Sequence, residues 1–183
     1  MHHQPQKRVM GKIWAFGILL LVTAVGACSK KSNTPASLNS TDQQFVTNAG
    51  YNNVDEINAG YLASANASDS NVKVFGLLMV NQYGSAQSAL ILLADSLGFT
   101  VLSSPDAAHA TELNTLQTLS GVAFDTTYLR YQINDDQAAI TLYGAEQSNG
   151  QNAAVKNYVS IYLPAIEAHL SAADSLILGY EGH

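Results

Sequence analysis

Cysteine is almost missing from this chain: Cys28 is the only one in 183 residues, so no disulfide can close within it. Outside the cytoplasm its stability must come from packing or from a ligand. Basic residues are scarce as well. From Ser40 onward only Lys73, Arg130 and Lys156 stand against all fourteen carboxylates, a formal balance of −11. Phosphate binding needs clustered positive charge, so nucleic acid is excluded as a partner. No uncharged apolar run reaches the roughly 20 residues of a membrane-spanning helix. Paired Cys-x-x-Cys, His-Glu-x-x-His and a glycine-rich phosphate loop do not occur, which removes three common signatures of metal and nucleotide chemistry. Gly84-Ser85-Ala86 lacks the strand, turn and helix of a nucleophile elbow.

What the N-terminus does contain is an export signal. Lys7, Arg8 and Lys12 form a basic region, an apolar stretch runs over residues 13–25, and the small Gly26 and Ala27 suit a signal peptidase cleft. The stretch is too short to span a bilayer and ends at Cys28. Val25, Gly26, Ala27 and Cys28 resemble a bacterial lipobox, which implies cleavage before Cys28, lipid on its sulfur and membrane anchoring through that lipid. Residues 1–27 are therefore expected to be a lipoprotein signal peptide, 28–39 a lipidated tether and 40–183 the folded domain. The expected address is the cell envelope, on the periplasmic side or the outer membrane, with Lys30 and Lys31 beside anionic headgroups.

The folded part, about 140 residues, is large enough for one domain with one core. Its apolar positions recur three and four apart, which is a helical period. Ser40 is expected to cap a first helix with Asp42 in its first turn, and Phe45, Ala49, Asn52, Glu56, Ala59 and Ala63 share one face. Gly50 and Asn52-Asn53 predict a break near residue 51. A second helix carries Val72, Phe75, Met79, Gln82, Ala86, Ala89, Leu93 and Leu97 and ends at Gly98. Pro105 and Asp106 open a shorter helix that ends at Gly121. Asp125 is expected to cap the fourth helix, where Phe124, Tyr128, Tyr131, Asp135, Ala138 and Leu142 form one stripe and Leu129, Ile133, Asp136, Ile140 and Tyr143 the next. The last helix bears Val155, Tyr158, Tyr162, Ala165, His169, Ala172 and Leu176, and Pro164 should kink it. Four long helices, one short helix and no strand pattern predict an all-α, up-and-down bundle.

Chemistry, if any, lies where polar and ionisable residues interrupt these stripes: Glu56, Gln82, Tyr83, Asp135, Asp136 and His169. A buried carboxylate must be paired, hydrogen-bonded, protonated or metal-bound, and helical bundles build metal sites from inward-facing carboxylates and histidines. His109, between Ala108 and Ala110, is expected to be exposed.

A family resemblance rests on an ordered set of residues: Asp42-Gln-Gln-Phe45, Asp55-Glu-Ile-Asn-Ala-Gly60, Leu78-Met-Val80, Ser120-Gly121, Phe124-Asp125, Tyr128-Leu129, and Leu163-Pro164 followed by His169. Over residues 41–175 the chain resembles the DUF4142 family of exported bacterial proteins, and the resemblance implies a ferritin-like bundle. It also implies a Glu-x-Glu on the first helix, an Asp-His on each of two later ones and a closing His. Glu56, Asp135 and His169 stand at those places, but Asn58 replaces the second Glu, Gln82-Tyr83 the first Asp-His and Asp136 the second His. Asparagine and tyrosine are poorer ligands for a borderline metal. Asp135 and Asp136 also diverge by about 100° on a helix. Counted from the 149–150 turn, Asp136 and His169 are out of register by about six residues, roughly 9 Å.

The expected function is therefore a noncatalytic envelope lipoprotein whose bundle binds a partner protein or a small ligand. No cofactor is expected beyond a weakly held divalent metal on Glu56, Asp135, Asp136 and His169, with Asn58, Gln82 and Tyr83 as further polar core positions. The alternative is a ferritin-like metal-binding or redox protein with a degraded site. An exported hydrolase ranks third, for want of a nucleophile, base and orienting group together.

Overall fold

The computed structural model describes residues 1–3, 37–102 and 104–181. Cys28 and the export signal lie outside the described residues. The chain divides into two units, 1–33 and 34–183, and the second holds α1 (Ser40–Asn66), α2 (Ser70–Ser96), α3 (Ala107–Gln117), α4 (Gly121–Asn149) and α5 (Ala153–Glu181). The fold is all-α, four long helices and one short, with no strand among the described residues. None of these helices is long and apolar enough to cross a membrane.

Hydrogen bonds at the two ends of the bundle give the helix directions. Near one end Asp42 of α1 accepts from the Gln151 and Asn152 N–H groups that precede α5, at 2.9 and 3.0 Å, and Asn39 reaches the Asn149 carbonyl at the end of α4. At the other end Asp125 of α4 accepts from Ser68 N–H and Asp69 N–H, before α2, and from Tyr180 OH near the end of α5. The helices α1 and α5 therefore run one way and α2 and α4 the other. A strict up-and-down order is restored only by α3, which lies in the crossover of residues 97–120 and packs on α1 and α4.

Local chemistry moves several predicted boundaries. Asn39, not Ser40, caps α1: its Oδ1 accepts from Asp42 N–H while Asp42 Oδ2 accepts from Asn39 N–H, each at 2.7 Å, a capping box that satisfies two free N–H groups. The break expected near residue 51 does not occur, since α1 is continuous. Asn53 is fully buried there and its Nδ2 donates to Gln87 Oε1 at 3.1 Å and Tyr158 OH at 3.2 Å, which offsets a poor helix propensity. Asp125 does not cap α4. Ser120 precedes that helix, and Gly121, at φ +61°, opens α4 instead of ending α3, which stops at Gln117.

The core fills the ring α1–α2–α5–α4. Phe45 meets Tyr143 and Tyr158 edge-on, with ring centroids 4.9 and 6.0 Å apart, and Met79, Leu90, Phe124, Tyr128 and Leu129 are fully enclosed. The helix pair α1 and α2 packs closely at two glycines. A Cβ on Gly60 would lie 2.7 Å from the Gly76 carbonyl oxygen, and one on Gly76 would lie 2.8 Å from that of Gly60.

Candidate functional site

Polar side chains enter the middle of the bundle from all four long helices. Glu56 of α1 is 0% exposed, and its Oε2 accepts from Gln132 Nε2 of α4 at 2.6 Å. Burial, reinforced by the nearby Asp136, pushes the Glu56 carboxyl well above its usual range. One turn further along α4, Asp136 accepts from Tyr83 OH of α2 at 3.0 Å, and burial raises it to about 7 against the effect of that hydrogen bond. The Tyr83 ring lies 5.4 Å from the imidazole of His169 on α5. Tyr83 thus fills the space between Asp136 and His169 that the mismatch in register anticipates.

His169 is itself hydrogen-bonded, Nε2 to Gln82 Oε1, at 2.7 Å. Because an amide oxygen only accepts, Nε2 carries the proton in this arrangement and Nδ1 is the bare acceptor. Burial lowers the His169 pKa to about 4, so the imidazole is neutral. Beside it a groove of about 400 Å³ runs between α2 and α5, walled by Tyr83, Tyr143, Ile161, Tyr162, Ile166 and His169, with Gln82 at the polar end. Among the described residues no carboxylate, lysine or arginine lines it. Its one serine, Ser85, donates back to the Asn81 carbonyl at 3.0 Å, so that hydroxyl is already engaged.

The residues singled out in the sequence do not meet at one point. Gln82 is exposed, not a core residue, and only its long side chain reaches His169. Asn58 is half-buried and makes no side-chain hydrogen bond; two residues from Glu56, it is turned by about 200° around the helix and cannot share the core face. Asp135 faces away from Asp136 and joins a different group. Among the described residues one set of three His, Asp or Glu side chains places a ligand atom each within 4.8 Å of the others: Asp55, His109 and Asp135. His109 is half-buried, not exposed, because its Nδ1 faces Asp106 Oδ1 at 2.9 Å. Burial first, with like charges adding to it, raises both Asp55 and Asp135 to about 7, while His109 draws each of them down.

Asp55, His109, Gln132, Asn53 and Glu146 were not indicated by the sequence pattern. One signal pointed to part of this set: Asp106, His109 and Glu112 recur every third residue on the short helix, which puts them on one side of it.

Over residues 27–176 the sequence matches the family described as "Domain of unknown function (DUF4142)". The chain belongs to the DUF4142 family. Solved structures with the same fold include a DUF305 fragment from Deinococcus radiodurans, with a TM-score of 0.69 and 12% identity over 77% of this chain and 97% of that one. Another is a DUF305 protein from Streptomyces coelicolor described as a "putative secreted protein", with a TM-score of 0.66 and 15% identity over 79% of this chain and 98% of that one. At such identities the likeness establishes the helical fold alone. Comparison with curated proteins gives no match.

Proposed function

We propose that this DUF4142 protein is a lipid-anchored, noncatalytic binding protein of the bacterial envelope, whose α2–α5 groove takes a small, uncharged, mostly apolar ligand with one hydrogen-bonding end. The observation that carries this reading is the groove itself. Its walls are largely aromatic and aliphatic, its polar groups include the Gln82–His169 pair, and its histidine is neutral. Apolar walls with a few placed polar groups are the usual form of a small-molecule site. The lack of a charged lining residue argues against an anionic or cationic ligand, since a charge would lose its hydration there without a partner. The lipobox-like residues ending at Cys28 support the anchor.

Two measurements test this. Mass spectrometry of the full chain extracted from membranes is expected to find Cys28 as the mature N-terminus carrying lipid; an unprocessed, unlipidated chain contradicts the anchor. For the groove, N-phenyl-1-naphthylamine, an uncharged apolar fluorophore with one N–H, is titrated into residues 34–183. Saturable fluorescence enhancement is expected, and Ala165→Trp, which fills the groove from its wall, should weaken it at least about tenfold. Equal binding by both proteins contradicts the groove.

A further inference from the structure

We infer that Asp55, His109 and Asp135 form a site for a borderline divalent cation of the Zn²⁺ class, which ties α3 to α1 and α4. This site is separate from the groove and from the interior Glu56–Gln132 and Tyr83–Asp136 pairs.

Four observations carry the inference. The three side chains come from three helices, and their ligand atoms lie within 4.8 Å of one another. Around a tetrahedral zinc, with bonds near 2.0–2.2 Å, ligand atoms sit about 3.4 Å apart, so a modest closing of side chains completes the geometry. Second, Asp55 is 2% exposed, yet its Oδ1 has no hydrogen-bond partner. Buried carboxylate oxygens without partners are costly, and the one ion pair among the described residues is His109 with Asp106. No lysine or arginine neutralises this group.

Third, the histidine is already oriented. Asp106 holds His109 Nδ1 while also accepting from the Ala108 and His109 N–H groups at 2.9 and 3.0 Å. That leaves Nε2 for a metal, and a carboxylate behind a histidine is the usual support of a metal-bound imidazole. Fourth, access exists: a cavity of about 320 Å³ opens onto His109, Asp106 and Asp135. Water there, or Glu112, whose carboxyl is hydrogen-bonded to that of Asp135, supplies the fourth ligand. Two carboxylate oxygens and one imidazole nitrogen favour zinc over calcium, which takes six to eight oxygens.

The test is calorimetric titration of the full chain in detergent, stripped with EDTA, using Zn²⁺ and, as contrast, Ca²⁺. The expected result is a micromolar Zn²⁺ site, weakened at least about tenfold by Asp55→Asn and by His109→Gln, with little Ca²⁺ binding. Asp55→Asn replaces a buried acid by a neutral isostere, and His109→Gln alters a half-buried position, so both variants are expected to fold, as circular dichroism checks. Hydrogen exchange of the α3 amides should slow with Zn²⁺ in the wild type and not in either variant. Absence of Zn²⁺ binding, an isotherm unchanged in both variants (binding elsewhere in the chain), or α3 exchange indifferent to Zn²⁺ overturns the inference.

Discussion

Glu146 is a fully buried carboxyl whose state is set by its burial and by its neighbour Asp42, with Lys156 opposing them. Burial would raise Asp42, but N–H donors from Asn152, Asn39 and Gln151 outweigh it and hold Asp42 below its usual value. Glu146 receives no such donors, and burial followed by its hydrogen bond to Asp42 raises it to about 7. Glu146 therefore keeps a proton in the folded protein and donates it to Asp42. The folded state binds more protons than the unfolded chain between the ordinary carboxyl range and pH 7, so this contribution to stability is complete below about pH 4 and is lost as pH rises through about 7. Glu146→Gln is expected to preserve the donated hydrogen bond at every pH. Thermal melts of wild type and variant should nearly coincide at pH 5, with the variant higher by several degrees at pH 8. A constant difference across that range contradicts the assignment. None of this was legible in the sequence, where Glu146 is simply a carboxylate near a turn. Asp125 reads as the cap of its own helix, but its partners are the Ser68 and Asp69 N–H groups ahead of α2, more than 50 residues away in the chain.

Helices were the most legible feature, because a period of three to four apolar residues survives without charge patterning. Every position assigned to the core face of α1, Phe45, Ala49, Asn52, Glu56, Ala59 and Ala63, is buried. The boundaries failed where glycine and asparagine have two meanings. Gly121 reads equally as the end of α3 or the start of α4, and Asn53 reads as a helix breaker until Gln87 and Tyr158 supply its partners. The running order of the four long helices was also hidden, since it follows from which end of the bundle Asp42 and Asp125 occupy. Close contact between α1 and α2 depends on Gly60 and Gly76, whose missing side chains let the backbones meet. Gly60→Ala would place a methyl group 2.7 Å from the Gly76 carbonyl oxygen and 3.0 Å from Val80 Cγ2. Overpacking of this kind costs about 1–3 kcal/mol. Chemical denaturation should show that loss with an unchanged slope, whereas an equal or higher midpoint contradicts the close crossing.

For the whole molecule, the helical arrangement is shared with DUF305 proteins at 12 and 15% identity, so the same packing is reached with different side chains. Function must then be argued from the sites that this chain's own residues build. At the places of the DUF4142-like ligand pattern, Tyr83 and Asp136 bond to each other instead of facing a common centre, and Asp135 turns to His109 and Asp55. The sequence made the departure from that pattern visible. The groove and the α3 cluster were not, because each is assembled by helices remote in the chain. The most direct test of the groove is methyl NMR on residues 34–183 labelled at isoleucine, with N-phenyl-1-naphthylamine added. Saturable shifts are expected at Ile161 and Ile166, which wall the groove, with Ile57, Ile133 and Ile140 unmoved. Shifts centred on those three, or binding without any change at Ile161 and Ile166, would contradict the groove.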